Sequence, residues 1–478
     1  MTDEIAIKSP ISWLDGIDIR TGRIVQENHP QRGQSIAGKI VRIRGSTGST
    51  VGAYVFFALK RNNAAPAKII LEEPDSVTIS AELAGIPVEI RGVSEVKLGD
   101  EELKEELRRY LEREASITGA HGFSKVKSVH ISGVSYATIG DAGREWLSEV
   151  SREIKFKVAA TTNPAGMDLV DWKMMGIPED FARKQMEIVD SLVKMGALPT
   201  FTCIPYLTGN LPTYGEVVCW GESSAVAFVN SVLGAKSNRE GATKTVVAAA
   251  SGYTPIYGKH LDENRLPSIK VDTDPPENTL QYYLLAYYTG LHYPDSVPLY
   301  VGLKSASLPE LKAISAAGAA SGSIELFHIP GVTPNRISDV SRSLRVTKSD
   351  LVRLREEMSS FEGGSDLVVL GCPHLSLQEL EEMRELLMGR RSLIRFWIFT
   401  ARSFMPLIER SGLREIFERF GADVWYDTCM VVSPLEELGI RRVTTNSTKA
   451  AKYLKSLRRL EVELLDIREI VERYSVPS

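Results

Sequence analysis

The chain has 478 residues, with 57 Lys and Arg against 61 Asp and Glu and a formal net charge of −4. That length exceeds one ordinary core and calls for roughly two to four domains. The near-balance of charge excludes the basic footprint of a nucleic-acid binder or a membrane-surface protein, and leaves a small molecule as the expected partner. No apolar run approaches the roughly 18 residues of a membrane span. The opening "MTDEIAIKSP" has neither the basic nor the apolar region of a secretion signal, so a cytoplasmic chain is expected. Four cysteines, Cys203, Cys219, Cys372 and Cys429, lie far apart, which argues for thiols or metal ligands over a disulfide framework.

In chain order, "KIVRIRG" (39–45), "AKIILEE" (67–73) and "VTISAELAGIPVEIRG" (77–92) read as strands. Between the first two, "GSTGSTVGAYVFFALKRN" is a glycine- and hydroxyl-rich loop opening a helix. "GDEELKEELRRYLEREA" reads as a solvated helix from its charge pattern, and a domain boundary is placed just before it, near Val96. Beyond it strand, loop and helix repeat: "VKSVHIS" before "DAGREWLSEVSRE", then "KFKVAATTN" before "EDFARKQMEIVDSLVKMG", where Gly196 is a helix stop. Later, "LPTFTC", "DLVVLGC", "IRFWIFT", "ADVWYDTC" and "RRVTTN" each end an apolar run at a polar residue or a cysteine. This is the pattern of an α/β protein with parallel sheets, whose ligands gather at the carboxyl ends of strands.

Cys203, Cys372 and Cys429 thus fall at expected strand ends, and Cys219 does not. A cysteine in such a place is either a small packed hydrophobe or a ligand. Three thiolates converging on one point would suit a soft metal centre, leaving one position of a four-iron cube open as a Lewis acid. Their spacing matches no compact ferredoxin or zinc motif.

The blocks "PISWLDGIDIRTGRIVQENHPQRGQSIAGKIV" and "GSTGSTVGAYVFFALKRNNAAPAKIIL" resemble the small subunit, or swivel domain, of aconitase X. "HISGVSYATIGDAG", "TTNPAGMDLVDW", "CIPYLTGNLPTYGE", "WGESSAVAFVNSVLGAKSNREG", "GCPHLS" and "DTCMVVSPLEELGIRRVTTNSTKAAKY" resemble successive blocks of its large subunit. The resemblance implies an aconitase-like fold in one fused chain: a swivelling β/α domain at 1–95 and a multi-lobed parallel-sheet catalytic region at 96–478. The opening "LEREASITGAHGFSKVKSVHIS" departs from the family in being short and lacking its helix pattern.

It also implies an iron–sulfur hydro-lyase. The ligands map to Cys203, Cys372 and Cys429, holding a [4Fe-4S] cluster, with a [2Fe-2S] cluster or mononuclear iron as alternatives. Cys219 carries no ligand role, and His374 is expected to hydrogen-bond locally. Ser49 in "GSTVG" matches the reactive serine of the superfamily and is the expected base. The plain alternative is that Ser46, Thr47, Ser49 and Thr50 cap the helix.

Polar residues at strand ends are expected to serve the substrate: His130 as an acid for the departing hydroxyl, with Ser132, Asn163, Asn446, Ser447 and Lys449 as binding groups. "AKSNRE" offers Lys236, Ser237, Asn238 and Arg239 as a compact anion-binding set or else a solvated surface loop. Two family activities are in view, dehydration of (R)-5-phosphomevalonate in an archaeal mevalonate pathway of isoprene biosynthesis, which is favoured, and dehydration of cis-3-hydroxy-L-proline. A non-catalytic iron–sulfur or metal-binding protein is the alternative from another class.

Overall fold

The computed structural model describes residues 3–90, 95–100 and 102–478. The boundary expected near Val96 adjoins residues 91–94, which lie outside the described residues, as does the Arg91–Gly92 end of the third strand-like run.

The N-terminal sheet has four parallel strands in the order Glu4–Ile7, Ile40–Ile43, Lys68–Leu71 and Val88–Ile90. Its inner strands bury alternate residues, Val41 and Ile43 on one, Ile69 and Leu71 on the next, as a period of two requires. The glycine-rich loop opens a 3₁₀ turn, Thr50–Tyr54, which runs into the helix Val55–Arg61.

Two expectations are corrected here. Most of the run from Val77 is helical, because the Asp75 carboxylate accepts from Val77 N at 3.2 Å and caps the helix Ser76–Ile79. A 3₁₀ turn over Ser80–Ala84 follows, and only Val88–Ile90 is a strand. The charged helix Glu105–Thr118 is solvated on one face alone: Leu107, Tyr110, Leu111 and Glu114 are buried. The helix runs on through the "LEREASIT" stretch to Thr118.

Among the described residues the body holds three larger sheets in which every strand is parallel to its neighbours, besides two antiparallel strand pairs, Phe123–Lys125 with Tyr253–Pro255 and Arg390–Ser392 with Ser475–Pro477. Val129–Ile131 lies between Ala160–Thr162 and Cys219–Trp220, and Ile269–Thr273 between Pro298–Tyr300 and Ser343–Val346. A five-stranded sheet runs Ala422–Trp425, Arg395–Thr400, Leu367–Leu375, Arg442–Thr445, Glu461–Leu464. The helix Glu179–Met195 stops where expected, at Gly196 with φ +107°.

The N-terminal sheet is seated firmly on this body, because its apolar residues form one continuous core with Val129, Ile131 and Val134. Tyr54 lies against two glycines, and a Cβ at Gly133 would stand 2.4 Å from its ring. Among the described residues no helix is long and apolar enough to cross a membrane.

Candidate active site

The three cysteines expected at strand ends sit less regularly than that, and all are buried. Cys372 lies inside the strand Leu367–Leu375, where pairing with Arg395–Thr400 shifts register between Leu370 and Leu375. Gly371 makes that shift possible: its φ is +110°, and a Cβ there would meet the Phe399 carbonyl oxygen at 2.3 Å. Cys203 follows no strand, since "LPTFTC" contributes only an isolated bridge from Leu198 to Thr161 and then a loop. Cys429 comes four residues after the strand Ala422–Trp425, on a loop.

These thiols feel one another. Burial pushes Cys203 up to about 12, with Cys429 and Glu222 adding to the effect and Lys449 opposing it. Burial likewise raises Cys372, with Lys449 opposing the effect and Cys429, Cys203 and Glu222 adding to it. Cys219 lies elsewhere, buried on the strand Cys219–Trp220 beside Glu240, Lys244 and Glu114.

His374 binds the three cysteine segments together. Its ring Nε2 lies 2.7 Å from the Thr428 carbonyl, next to Cys429, and its Nδ1 lies 2.9 Å from Thr202 Oγ1, next to Cys203. A carbonyl only accepts, so Nε2 carries the proton and Nδ1 accepts from the threonine hydroxyl. The backbone N–H of His374 also donates to Cys203 Sγ at 3.2 Å. Burial draws the imidazole down to about 4, so it stays neutral. Tyr283 donates to the Cys372 carbonyl at 3.1 Å and Lys312 to the His374 carbonyl at 2.8 Å, which fixes this strand from its other side. The Cys429 loop is anchored by Arg402, whose guanidinium donates to Asp427 and Asp168 at 2.6 Å each.

Sequence reasoning missed Glu222 and Ser224, which form the polar centre beside the thiols. Lys449 Nζ donates to Glu222 Oε1 and, at 3.2 Å, to Ser224 Oγ, while Asn163 Nδ2 donates to Glu222 Oε2 at 2.9 Å. Burial alone would raise the Glu222 carboxyl, but the charge and hydrogen bond of Lys449 outweigh it and bring the carboxyl down to about 2. The only local signal was the helix cap it makes, accepting from Ser224 N at 3.2 Å.

Behind Asn163 stands His130, with Nε2 3.3 Å from Asn163 Oδ1 and Nδ1 2.8 Å from Thr161 Oγ1. Burial lowers its pKa to about 4. Neutral and fully enclosed, it orients Asn163 and carries no spare proton of an imidazolium at neutral pH. Ser447 caps the helix Thr448–Ser456 by accepting from Ala450 N at 3.2 Å, and Asn446 is half-buried in the bend before it.

Ser49 also caps: its Oγ accepts from Val51 N at 3.3 Å. The next residue ties the loop to the site, since Thr50 Oγ1 donates to the Gly221 carbonyl, one residue before Glu222, and lies 3.3 Å from Ser132 Oγ. The N-terminal loop and the Glu222–Lys449 pair therefore meet across one seam.

The compact anion-binding set is not what the structure shows. Lys236 pairs with the exposed Asp262 at 2.6 Å. Ser237 Oγ is engaged between Trp220 N and the Asn238 carbonyl, and Asn238 holds the Tyr257 carbonyl and Lys259 N. Arg239 turns to main-chain oxygens, 2.6 Å to Gly48 O and 3.2 Å to Ser46 O. The four side chains fan out because successive residues of an extended segment point to opposite sides. Beside the seam opens a cavity of about 630 Å³ whose walls include Arg44, Ser46, Arg239, Lys259, Asp295 and Glu325; none of the three cysteines lines it.

A small parallel-sheet domain whose serine loop is tied to Gly221, next to a carboxylate–lysine pair set beside three interior thiols, is the arrangement that a family of hydro-lyases shares with this chain by sequence. The match to family models covers nearly the whole chain: aconitase X swivel domain over residues 3–104, first domain over 96–263, second over 267–356 and third over 365–475. The chain belongs to the aconitase X family. It is 41% identical to the phosphomevalonate dehydratase large subunit of Methanothermobacter thermautotrophicus, over 71% of this chain and 87% of that one. To the small subunit from the same organism it is 46% identical, over 16% of this chain and 61% of that one. It is 29% identical to the cis-3-hydroxy-L-proline dehydratase of Pseudomonas aeruginosa, over 97% of this chain and 92% of that one. The crystal structure of Thermococcus kodakaraensis aconitase X, holo-form, superposes with a TM-score of 0.73 at 38% identity, over 77% of this chain and 95% of that one. Membership among these dehydratases sets aside the non-catalytic alternative.

Proposed function

We propose that the chain dehydrates (R)-5-phosphomevalonate to trans-anhydromevalonate 5-phosphate, as a cytoplasmic enzyme of a mevalonate pathway. The observation that carries this choice is the identity of 41% to one phosphomevalonate dehydratase large subunit against 29% to a cis-3-hydroxy-L-proline dehydratase. The second substrate stays in the test because that relative aligns over 97% of this chain.

The relative of known structure is a holo-form, and a cofactor is inferred here as well. Cys203, Cys372 and Cys429 would hold it, as an iron–sulfur cluster, [4Fe-4S] in the first instance. Three buried thiols tied together through His374 suit soft metal chemistry. Among the described residues no three His, Cys, Asp or Glu side chains are gathered tightly enough for a single ion. A [2Fe-2S] cluster and mononuclear iron are the alternatives for the same three thiols. When bound, such a centre supplies a Lewis acid for the leaving hydroxyl.

The protein's own residues do the rest. Ser49, as its alkoxide, takes the proton from the carbon next to the hydroxyl-bearing one; the C–H electron pair becomes the double bond as the carbon–oxygen bond breaks, and the released hydroxide takes that proton from Ser49, so water leaves and the alkoxide is restored. Lys449 and Asn163 fix the Glu222 carboxylate at the seam, and His130 orients Asn163. The N-terminal domain, residues 1–95, covers the site and excludes water. Anaerobic reconstitution followed by assay of both substrates tests the proposal. Turnover of phosphomevalonate with a kcat/KM well above that for cis-3-hydroxy-L-proline is expected, and the opposite preference refutes it.

A further inference from the structure

Three consecutive residues of the body grip the N-terminal domain. Arg239 donates to the carbonyls of Gly48 and Ser46 at 2.6 and 3.2 Å. Glu240 accepts from Ser76 Oγ at 2.9 Å. Gly241 N donates to the same Ser76 Oγ at 2.9 Å, and a Cβ on Gly241 would meet Ser80 Oγ at 2.8 Å and the Ser76 carbonyl at 3.0 Å. The strip holds two separate parts of that domain, the serine loop and the capped helix Ser76–Ile79.

We infer that Arg239 is a positioning residue for Ser49: its guanidinium fork holds the carbonyls on either side of Thr47 and so sets where the serine loop rests over the site. The Gly48 carbonyl belongs to the peptide bond that leads into Ser49, so a shift of this oxygen moves the serine with it. Two carbonyls two residues apart are matched by two nitrogens of one rigid, planar group, a geometry that lysine's single ammonium cannot copy. These bonds take two of the guanidinium's five N–H donors, and its Nε is buried with no partner among the described residues. Gly48 has φ +81°, and a Cβ there would stand 2.6 Å from Ser12 Oγ, so the loop is already pressed between Ser12 on one side and the arginine on the other. This inference rests on Ser49 as the base.

The test uses the iron-loaded full chain carrying Arg239→Ala or Arg239→Lys, each also combined with Ser49→Ala. Turnover, KM, iron content and hydrogen exchange of residues 46–52 are measured together. A loop displaced by about 1 Å costs on the order of 10²-fold in rate, so Arg239→Ala should lose about that in kcat with KM and iron nearly unchanged. Arg239→Lys, holding one carbonyl, should fall between it and the natural protein. Amides of 46–52 should exchange faster, and in the Ser49→Ala background Arg239→Ala should cost no further turnover. A raised KM with kcat retained would mean that Arg239 binds substrate and would overturn the inference, as would unchanged loop exchange. Should the alanine variant fail to fold, the lysine variant decides by the same readouts. Normal turnover in Ser49→Ala alone would sink the base reading, and with it the positioning role, while loop exchange would still report whether Arg239 docks the domain.

Discussion

Replacing Lys244 by methionine removes the cation that pairs with two wholly buried acids, Glu114 and Glu240. Lys244 Nζ donates to Glu114 Oε1 at 2.5 Å and to Glu240 Oε2 at 3.2 Å, and all three side chains are fully buried. Glu114 Oε2 and Glu240 Oε1 already lack hydrogen-bond partners. Taking away one member of a buried ion group costs about 3–5 kcal/mol, roughly 10 °C in melting temperature at about 2–4 °C per kcal/mol. The sign of the pH dependence follows from Glu114. Burial raises its carboxyl from 4.5 to about 7 even with Lys244 present, so its contribution to stability is intact below 4.5 and lost as pH rises through 7. Without the lysine the Glu114 carboxyl rises further, and the deficit of Lys244→Met should be largest near pH 8.5 and shrink towards pH 5.5. Because Glu240 also holds Ser76, turnover should fall along with stability. Denaturant unfolding of the two proteins across that pH range is the assay. A deficit below about 1 kcal/mol, or one that does not change with pH, would refute the reasoning.

Ser49→Ala should keep iron and bind substrate but lose about 10²- to 10⁴-fold in turnover, the usual contribution of a general base; a residue that only caps would cost about 1 kcal/mol of stability and little rate. Glu222→Gln should strand Lys449 and cost about 3 kcal/mol at neutral pH. Since the Glu222 carboxyl is held down at about 2, its stabilisation is present above 4.5 and lost as pH falls towards 2, so the variant should lose part of the natural protein's acid-unfolding step. His374→Leu should loosen the tie among the cysteine segments and lower iron retention under a chelator challenge, with the fold kept as judged by circular dichroism.

Runs that are apolar for local reasons were legible in the sequence. Val368, Val369 and Leu370 are β-prone and wholly buried, and they form a strand. "LPTFTC" looked similar but carries Pro199, which cannot donate to a ladder, and Phe201 sits at φ +40°, so it stays a loop. Asp75, a cap whose effect is visible only once its neighbours are helical, turned the Val77 run into a helix. The site divides in the same way. The cysteines stood out by chemistry alone. Glu222 did not, because its partner Lys449 is 227 residues away and its local look is that of a helix cap. The hold of Arg239 on Ser46 and Gly48 was not legible, because main-chain carbonyls leave no mark in a sequence.

The central claim is that Cys203, Cys372 and Cys429 hold the centre at which this dehydratase works, and iron and sulfide counted per chain test it most directly. After anaerobic preparation, Cys372→Ser should lose bound iron and turnover together, with Cys203→Ser and Cys429→Ser behaving alike, while Cys219→Ser keeps both. Full iron and activity in Cys372→Ser, with loss in Cys219→Ser, would contradict the account.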